Sequence, residues 1–168
     1  MSLFIFLESG DDLRFFSRII VPLLKTQYND VQPIPYAEDQ TRETRKYLRA
    51  LESQGYPYIF TIDLDPSDCL VNRREKTASK YEIDPERILI VCKEIESWYL
   101  SGLKQCDCRK LGIKYYAMTD NICKESFERM TPKEPKIILF NKILDSFDIE
   151  TGKEKNFSLR YFMRKWVQ

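Results

Sequence analysis

The chain alternates short, unbroken apolar runs with longer amphipathic stretches. Leu3-Phe4-Ile5-Phe6-Leu7 is apolar at every position and stops at Glu8-Ser9-Gly10. So short and continuous a run predicts a strand buried on both faces. Tyr58-Ile59-Phe60-Thr61-Ile62, ending in Asp63-Leu64-Asp65-Pro66, and Arg87-Ile88-Leu89-Ile90-Val91-Cys92 read the same way. Val31 to Tyr36 carries Pro33 and Pro35, so it is at best an edge strand. Between these runs the apolar period lengthens to that of a helix. Phe15, Phe16, Ile19, Ile20, Leu23 and Leu24 follow Asp11 and Asp12, either of which is a candidate cap, and Pro22 should kink or shorten that helix. Glu38 to Ser53 is a polar helix with Tyr47, Leu48 and Leu51 inward, closed by Gly55. Further helices are expected over Ser67–Tyr81, Glu94–Leu103 (Ile95, Trp98 and Tyr99 inward), Lys136–Phe147 and Phe157–Val167. Gln105 to Pro135 carries no clear period, and Thr151 to Lys155 reads as a polar turn.

Strands alternating with helices predict an α/β domain with a mainly parallel sheet. Residues 1–104 are expected to form its core. Residues 105–168 are expected to be a helical extension packed on that core as one compact unit.

Composition narrows the chemistry. The 168 residues include no histidine, which removes Ser-His-Asp and Cys-His catalysis and His-ligated metals. Twenty-seven Lys and Arg against 26 Asp and Glu give a net charge of +1, so binding to a polyanion must come from a local patch. Five cysteines are an odd number, the opening lacks the basic segment of a signal peptide, and no apolar run is long enough to span a membrane. A cytoplasmic protein with reduced thiols is expected. Cys106 and Cys108 could be half of a zinc site, but the usual second pair is missing, and ordinary thiols are the expected reading.

Ligands of parallel sheets bind at the carboxyl ends of the strands. Glu8 ends the first run, and Asp63 and Asp65 end a later one. Residues i and i+2 of a strand share a face, so the two aspartates can converge, and Glu8 joins them if the strands are neighbours. Such carboxylates repel one another without a cation, and oxygen ligands suit Mg²⁺ or Mn²⁺. Acids at strand ends also occur simply because strands end at solvent and Asp caps helices.

The segment Glu8-Ser9-Gly10-Asp11-Asp12 followed by Phe15-Phe16 resembles the opening of a topoisomerase–primase (Toprim) domain. Asp63-Leu64-Asp65 looks like that family's D-x-D. Glu94-Ile95-Glu96-Ser97-Trp98-Tyr99-Leu100 resembles the E-I-E-x-W-x-L signature of a group of small prokaryotic Toprim-like proteins. The resemblance covers roughly residues 3 to 103. It implies a sheet of about four strands flanked by helices, with Mg²⁺ at its carboxyl edge. It further implies Glu8 as general acid/base or metal ligand, Asp63 and Asp65 as metal ligands, and Asp12, Glu94 and Glu96 as candidates for a second cation. Ser9 standing before Gly10, and Ser67 where a third acid is usual, depart from the pattern.

Arg73, Arg74 and Lys76 follow the D-x-D and suit a phosphate backbone, or form part of a solvated helix face. Arg42, Arg45, Lys46 and Arg49 have acids among them and read first as such a face. The C-terminal Arg160-Tyr161-Phe162 and Arg164-Lys165-Trp166 either close the core or stack bases. The leading expectation is a Mg²⁺- or Mn²⁺-dependent nuclease acting on DNA or RNA, with defence against phage or plasmids as its setting. The alternatives are a non-catalytic module that binds nucleic acid or a partner protein, and an aspartyl-phosphate phosphatase using Asp63 as nucleophile.

Overall fold

The computed structural model describes residues 1–36, 40–64 and 67–167. The fold is α/β, with a four-stranded, all-parallel sheet flanked by helices, as the alternating pattern requires. The chain divides into two compact units, Met1–Ile90 and Val91–Gln168. The division falls after Ile90 rather than after residue 104, so the Trp98 helix belongs with the C-terminal helices.

The first unit holds β1 (Ser2–Leu7), a helical run made of α1 (Gly10–Phe15), a π-helical turn (Phe16–Ile20) and α2 (Val21–Leu24), then β2 (Asp30–Pro35), α3 (Thr41–Ser53), β3 (Tyr58–Asp63), α4 (Leu70–Tyr81) and most of β4 (Ile88–Val91). The strand order is β2-β1-β3-β4. β1 pairs in parallel with β2 from Ser2–Asp30 to Leu7–Pro35, and with β3 through Phe4–Tyr58 and Phe6–Phe60. β2 lies at the sheet edge, where its two prolines cost no central ladder bond.

One sheet face carries Phe4, Phe6, Tyr58, Phe60, Ile62, Ile88 and Ile90 and packs on Leu48 and Leu51 of α3 and Tyr81 of α4. Phe60 stands at the middle of an aromatic group, its ring centroid 4.7 Å from Tyr36, 4.5 Å from Tyr81 and 5.7 Å from Phe6. Tyr47, expected inside, is 41% exposed and meets Phe4 and Phe6 edge-on.

Three local expectations change. The cap of α1 is Ser9, not Asp11 or Asp12; Asp12 is its partner three residues on in a capping box. Pro22 neither ends nor sharply shortens the first helix. The turn before it widens to π geometry, with the Val21 N–H reaching back to the Phe16 carbonyl, which absorbs the missing proline donor. Residues 151–155 are not a turn but part of α9, described below.

The second unit contains α5 (Glu96–Ser101), α6 (Gln105–Leu111), α7 (Lys124–Met130), α8 (Lys136–Asp145), α9 (Ile149–Lys155) and α10 (Phe157–Trp166). Trp98 and Tyr99 are fully buried, Tyr99 stacking on Phe140 at 3.9 Å. α9 forms because Asp148 accepts the Thr151 N–H as its N-cap. Gly152, which made this stretch look like a turn, is there for space: a Cβ would lie 2.9 Å from Leu159 and 3.2 Å from Phe147.

This unit buries polar groups as well as apolar ones. Asn156 donates to Ser97 Oγ (3.3 Å) and Thr119 Oγ1 (3.1 Å) and accepts from Ser158 Oγ and the Leu159 N–H, capping α10. Trp98 Nε1 donates to Ser158 Oγ at 2.8 Å. Lys155 Nζ donates to the Leu103 and Leu100 carbonyls at 2.9 and 3.4 Å, at and just beyond the end of α5. Burial pushes the Lys155 ammonium below the usual lysine range.

Candidate functional site

β1 and β3 are adjacent, yet the chain leaves them in opposite directions across the sheet: β1 is followed by β2 on one side, and β3 by β4 on the other. In open parallel sheets that point, at the carboxyl ends of the two strands, is where the connections part and leave a crevice. Glu8 and Asp63 both stand there. The Asp63 N–H donates to Glu8 Oε2 at 3.3 Å. Just inside them, Thr61 Oγ1 donates to the Phe6 carbonyl at 2.7 Å and Tyr36 Oη to the Thr61 carbonyl at 2.9 Å. The two strand ends are therefore cross-braced by buried hydrogen bonds immediately before the acids.

Arg73, on α4, reaches the same edge. Its Nε donates to the Asp63 carbonyl at 3.0 Å. A guanidinium anchored through Nε keeps its outer amino groups for another anion. Arg74 is half-buried, and its Nε meets no hydrogen-bond partner among the described residues. Lys76 pairs with Asp68 at 3.0 Å, which compensates its charge. At the C-terminal end of α4, Glu82 pairs with both Arg45 and Arg49 of α3, in line with a solvated helix face for that cluster. Glu82 is held low in consequence, Arg49 being the main cause.

The remaining acids singled out in the sequence are placed as follows. Asp65 lies outside the described residues. Asp12 is buried, and its carboxylate accepts the Ser9 N–H at 2.9 Å and the Ser9 hydroxyl. Glu94 and Glu96 belong to the second unit. Glu94 accepts the Lys124 N–H at the start of α7. Glu96, 4% exposed, pairs with Lys136 Nζ at 2.8 Å. Each of these three holds a local element in place. Among the described residues, no three acidic, thiol or imidazole side chains gather as a metal-holding group. What the sheet edge offers is an oxygen-only pair, Glu8 and Asp63, and that donor chemistry fits a hard divalent cation.

The C-x-C pair does not converge on one point. Cys106 is exposed and Cys108 buried on α6, and residues two apart on a helix do not face one another. All five thiols are free, and burial pushes Cys92 and Cys108 above the ordinary thiol range. No helix among the described residues is long and apolar enough to cross a membrane.

Sequence reasoning missed two features. The position of Glu8 and Asp63 at the reversal of strand order depends on topology, which no local pattern carries. The anchoring of Arg73 could have been read from its place one turn into the helix after Asp63. Comparison with protein-family models, curated proteins and solved structures returns no match.

Proposed function

We propose that the chain is a Mg²⁺- or Mn²⁺-dependent nucleic-acid phosphodiesterase of Toprim type, its chemistry centred on Glu8 and Asp63, with Asp65 as a further ligand. The observation that supports this is the hydrogen bond joining Glu8 and Asp63 where the strand order reverses. A divalent ion, when bound, would supply Lewis acidity to a phosphate ester. Glu8 and Asp63 would hold it, and Arg73 would orient a phosphate from the side of α4. Arg74 lies beside it on α4, whereas the charge of Lys76 is already met by Asp68. The protein's expected place is the cytoplasm, in defence against phage or plasmids.

Supercoiled plasmid, single-stranded DNA and RNA, each incubated with Mg²⁺ or Mn²⁺, test the reading. Asp63→Asn and Glu8→Gln are each expected to slow cleavage by about a hundredfold or more, with the fold kept. Cleavage by both variants at the wild-type rate would overturn the assignment. A second reading, a module that binds nucleic acid or a partner protein without cutting it, is favoured by the local engagement of Asp12, Glu94 and Glu96, which leaves a second cation poorly provided for. Metal or nucleic-acid binding without turnover would establish it.

A further inference from the structure

The helix α10 has two chemically different faces. Leu159, Phe162 and Met163 are buried, with Phe162 5.9 Å from Trp98. Phe157 and Tyr161 are 58% and 41% exposed, one helical turn apart. At 3.6 residues per turn, positions 157, 160, 161, 164 and 165 form one outward stripe of about 140°. Every one is a ring or a cation, and the helix contains no acid. The cations sit with the rings. The Arg160 guanidinium lies 4.3 Å from the centroid of Phe157, and Lys165 Nζ lies 5.7 Å from that of Tyr161 and 4.6 Å from that of Trp166. Tyr161 and Trp166 meet edge-on at 6.2 Å, which steadies the exposed tyrosine. The helix start is fixed by Asp120, which accepts the Phe157 N–H at 2.7 Å.

We propose that this face of α10 binds single-stranded nucleic acid, stacking bases on Phe157 and Tyr161 and pairing phosphates with Arg160, Arg164 and Lys165. Three arguments select that occupant. A stripe whose own positions are rings and cations, with Asp120 held on the Phe157 N–H at its start, complements a polyanion in a chain whose total charge nearly cancels. Exposed rings beside those cations need planar partners, which a duplex keeps inside its stack and a single strand presents. Four residues of helix advance about 6 Å, so the two rings are spaced by roughly two rises of a stacked strand. An anionic membrane suits the face less well. An interfacial helix inserts a broad aliphatic stripe, and here the aliphatic residues Leu159 and Met163 point inward. The proposal uses residues of the second unit alone and does not depend on the carboxylates Glu8 and Asp63.

The test is fluorescence anisotropy of a labelled oligothymidylate of about 20 nucleotides with the full chain in EDTA, beside sedimentation with phosphatidylserine-containing vesicles. The paired change Phe157→Ala with Tyr161→Ala is expected to weaken oligonucleotide binding about a hundredfold, roughly tenfold per ring. The paired change Phe157→Tyr with Tyr161→Phe should keep it, with unchanged melting in all proteins. Replacing Arg164 and Lys165 by Gln should lower the slope of log affinity against log salt by about 1.4. No binding by the wild type, equal binding by the alanine pair, or binding to vesicles in place of the oligonucleotide would each overturn the proposal. Because EDTA removes divalent ions, failure here with plasmid still cut leaves the carboxylate reading standing. Binding without any cutting does the reverse.

Discussion

The two units bury their interiors by different means. The first is sealed by rings and branched aliphatics on a sheet face, with Phe60 at the centre, and its buried polar groups, Asp12, Thr44, Thr61 and Thr77, are scattered singly over different elements. The second buries Ser97, Thr119, Lys155, Asn156 and Ser158 and satisfies them through one another and through the ends of helices. A parallel sheet hydrogen-bonds its own backbone, so its side chains are free to be apolar. Short helices leave up to four open donors and four open acceptors each, and α5, α9 and α10 have ten residues or fewer. Where many short helices meet, polar side chains must come inside to serve those ends.

Breaking each interior should therefore look different. Phe60→Ala removes the ring on which Tyr36, Tyr81 and Phe6 close. A loss of about 3–5 kcal/mol is expected in urea unfolding, from lost burial and an unfilled cavity. Asn156→Ala opens little volume, yet it removes the cap of α10 and strands the groups Asn156 now serves. A loss of about 2–4 kcal/mol is expected, of which the cap accounts for about 0.5–2. A cost near zero for Asn156→Ala would mean that the polar network is incidental and the two interiors are not distinct.

The smallest effect sharpens the contrast through pH. At the start of α9, Asp148 falls from 3.8 to about 2, because it accepts the Thr151 N–H and lies 3.1 Å from Lys104. The unfolded chain then binds the proton more readily than the folded one. The stabilisation is complete above 3.8 and is lost as pH falls towards about 2. Solvent reaches this carboxylate, so the contribution is a few tenths of a kcal/mol. Asp148→Asn keeps a capping oxygen and should flatten that part of the acid-unfolding curve.

Much of the first unit was legible because buried parallel strands are apolar without interruption. Leu3–Leu7, Tyr58–Ile62 and Ile88–Val91 announce themselves, and the acids that stop the first two mark the sheet edge. The order of the strands was not legible, since it is set by pairings between Phe6 and Phe60 that no local window contains. In the second unit the pattern carries less. Gly152 lowers the helix signal of α9 for a packing reason that lies with Phe147 and Leu159. Lys155 reads as one more surface cation, although it is buried on the carbonyls of Leu100 and Leu103. Ser9 and Asp12 show how a motif divides attention: an acid four residues after Glu8 invited a metal role, while S-x-x-D before an apolar run is also a helix-start pattern.

The central position of β1 bears on how the protein is made. β1 leaves the ribosome before both of its neighbours, which come from Asp30–Pro35 and, on the other side, from Tyr58 onward. At the usual pace of synthesis, the third strand follows roughly 3–10 seconds later. For that interval a segment that is apolar at five successive positions has at most an edge strand to pair with. Nascent chains of this protein therefore pass through a sticky stage between β1 and β3, and their yield depends on how well that one segment is shielded until Phe60 arrives.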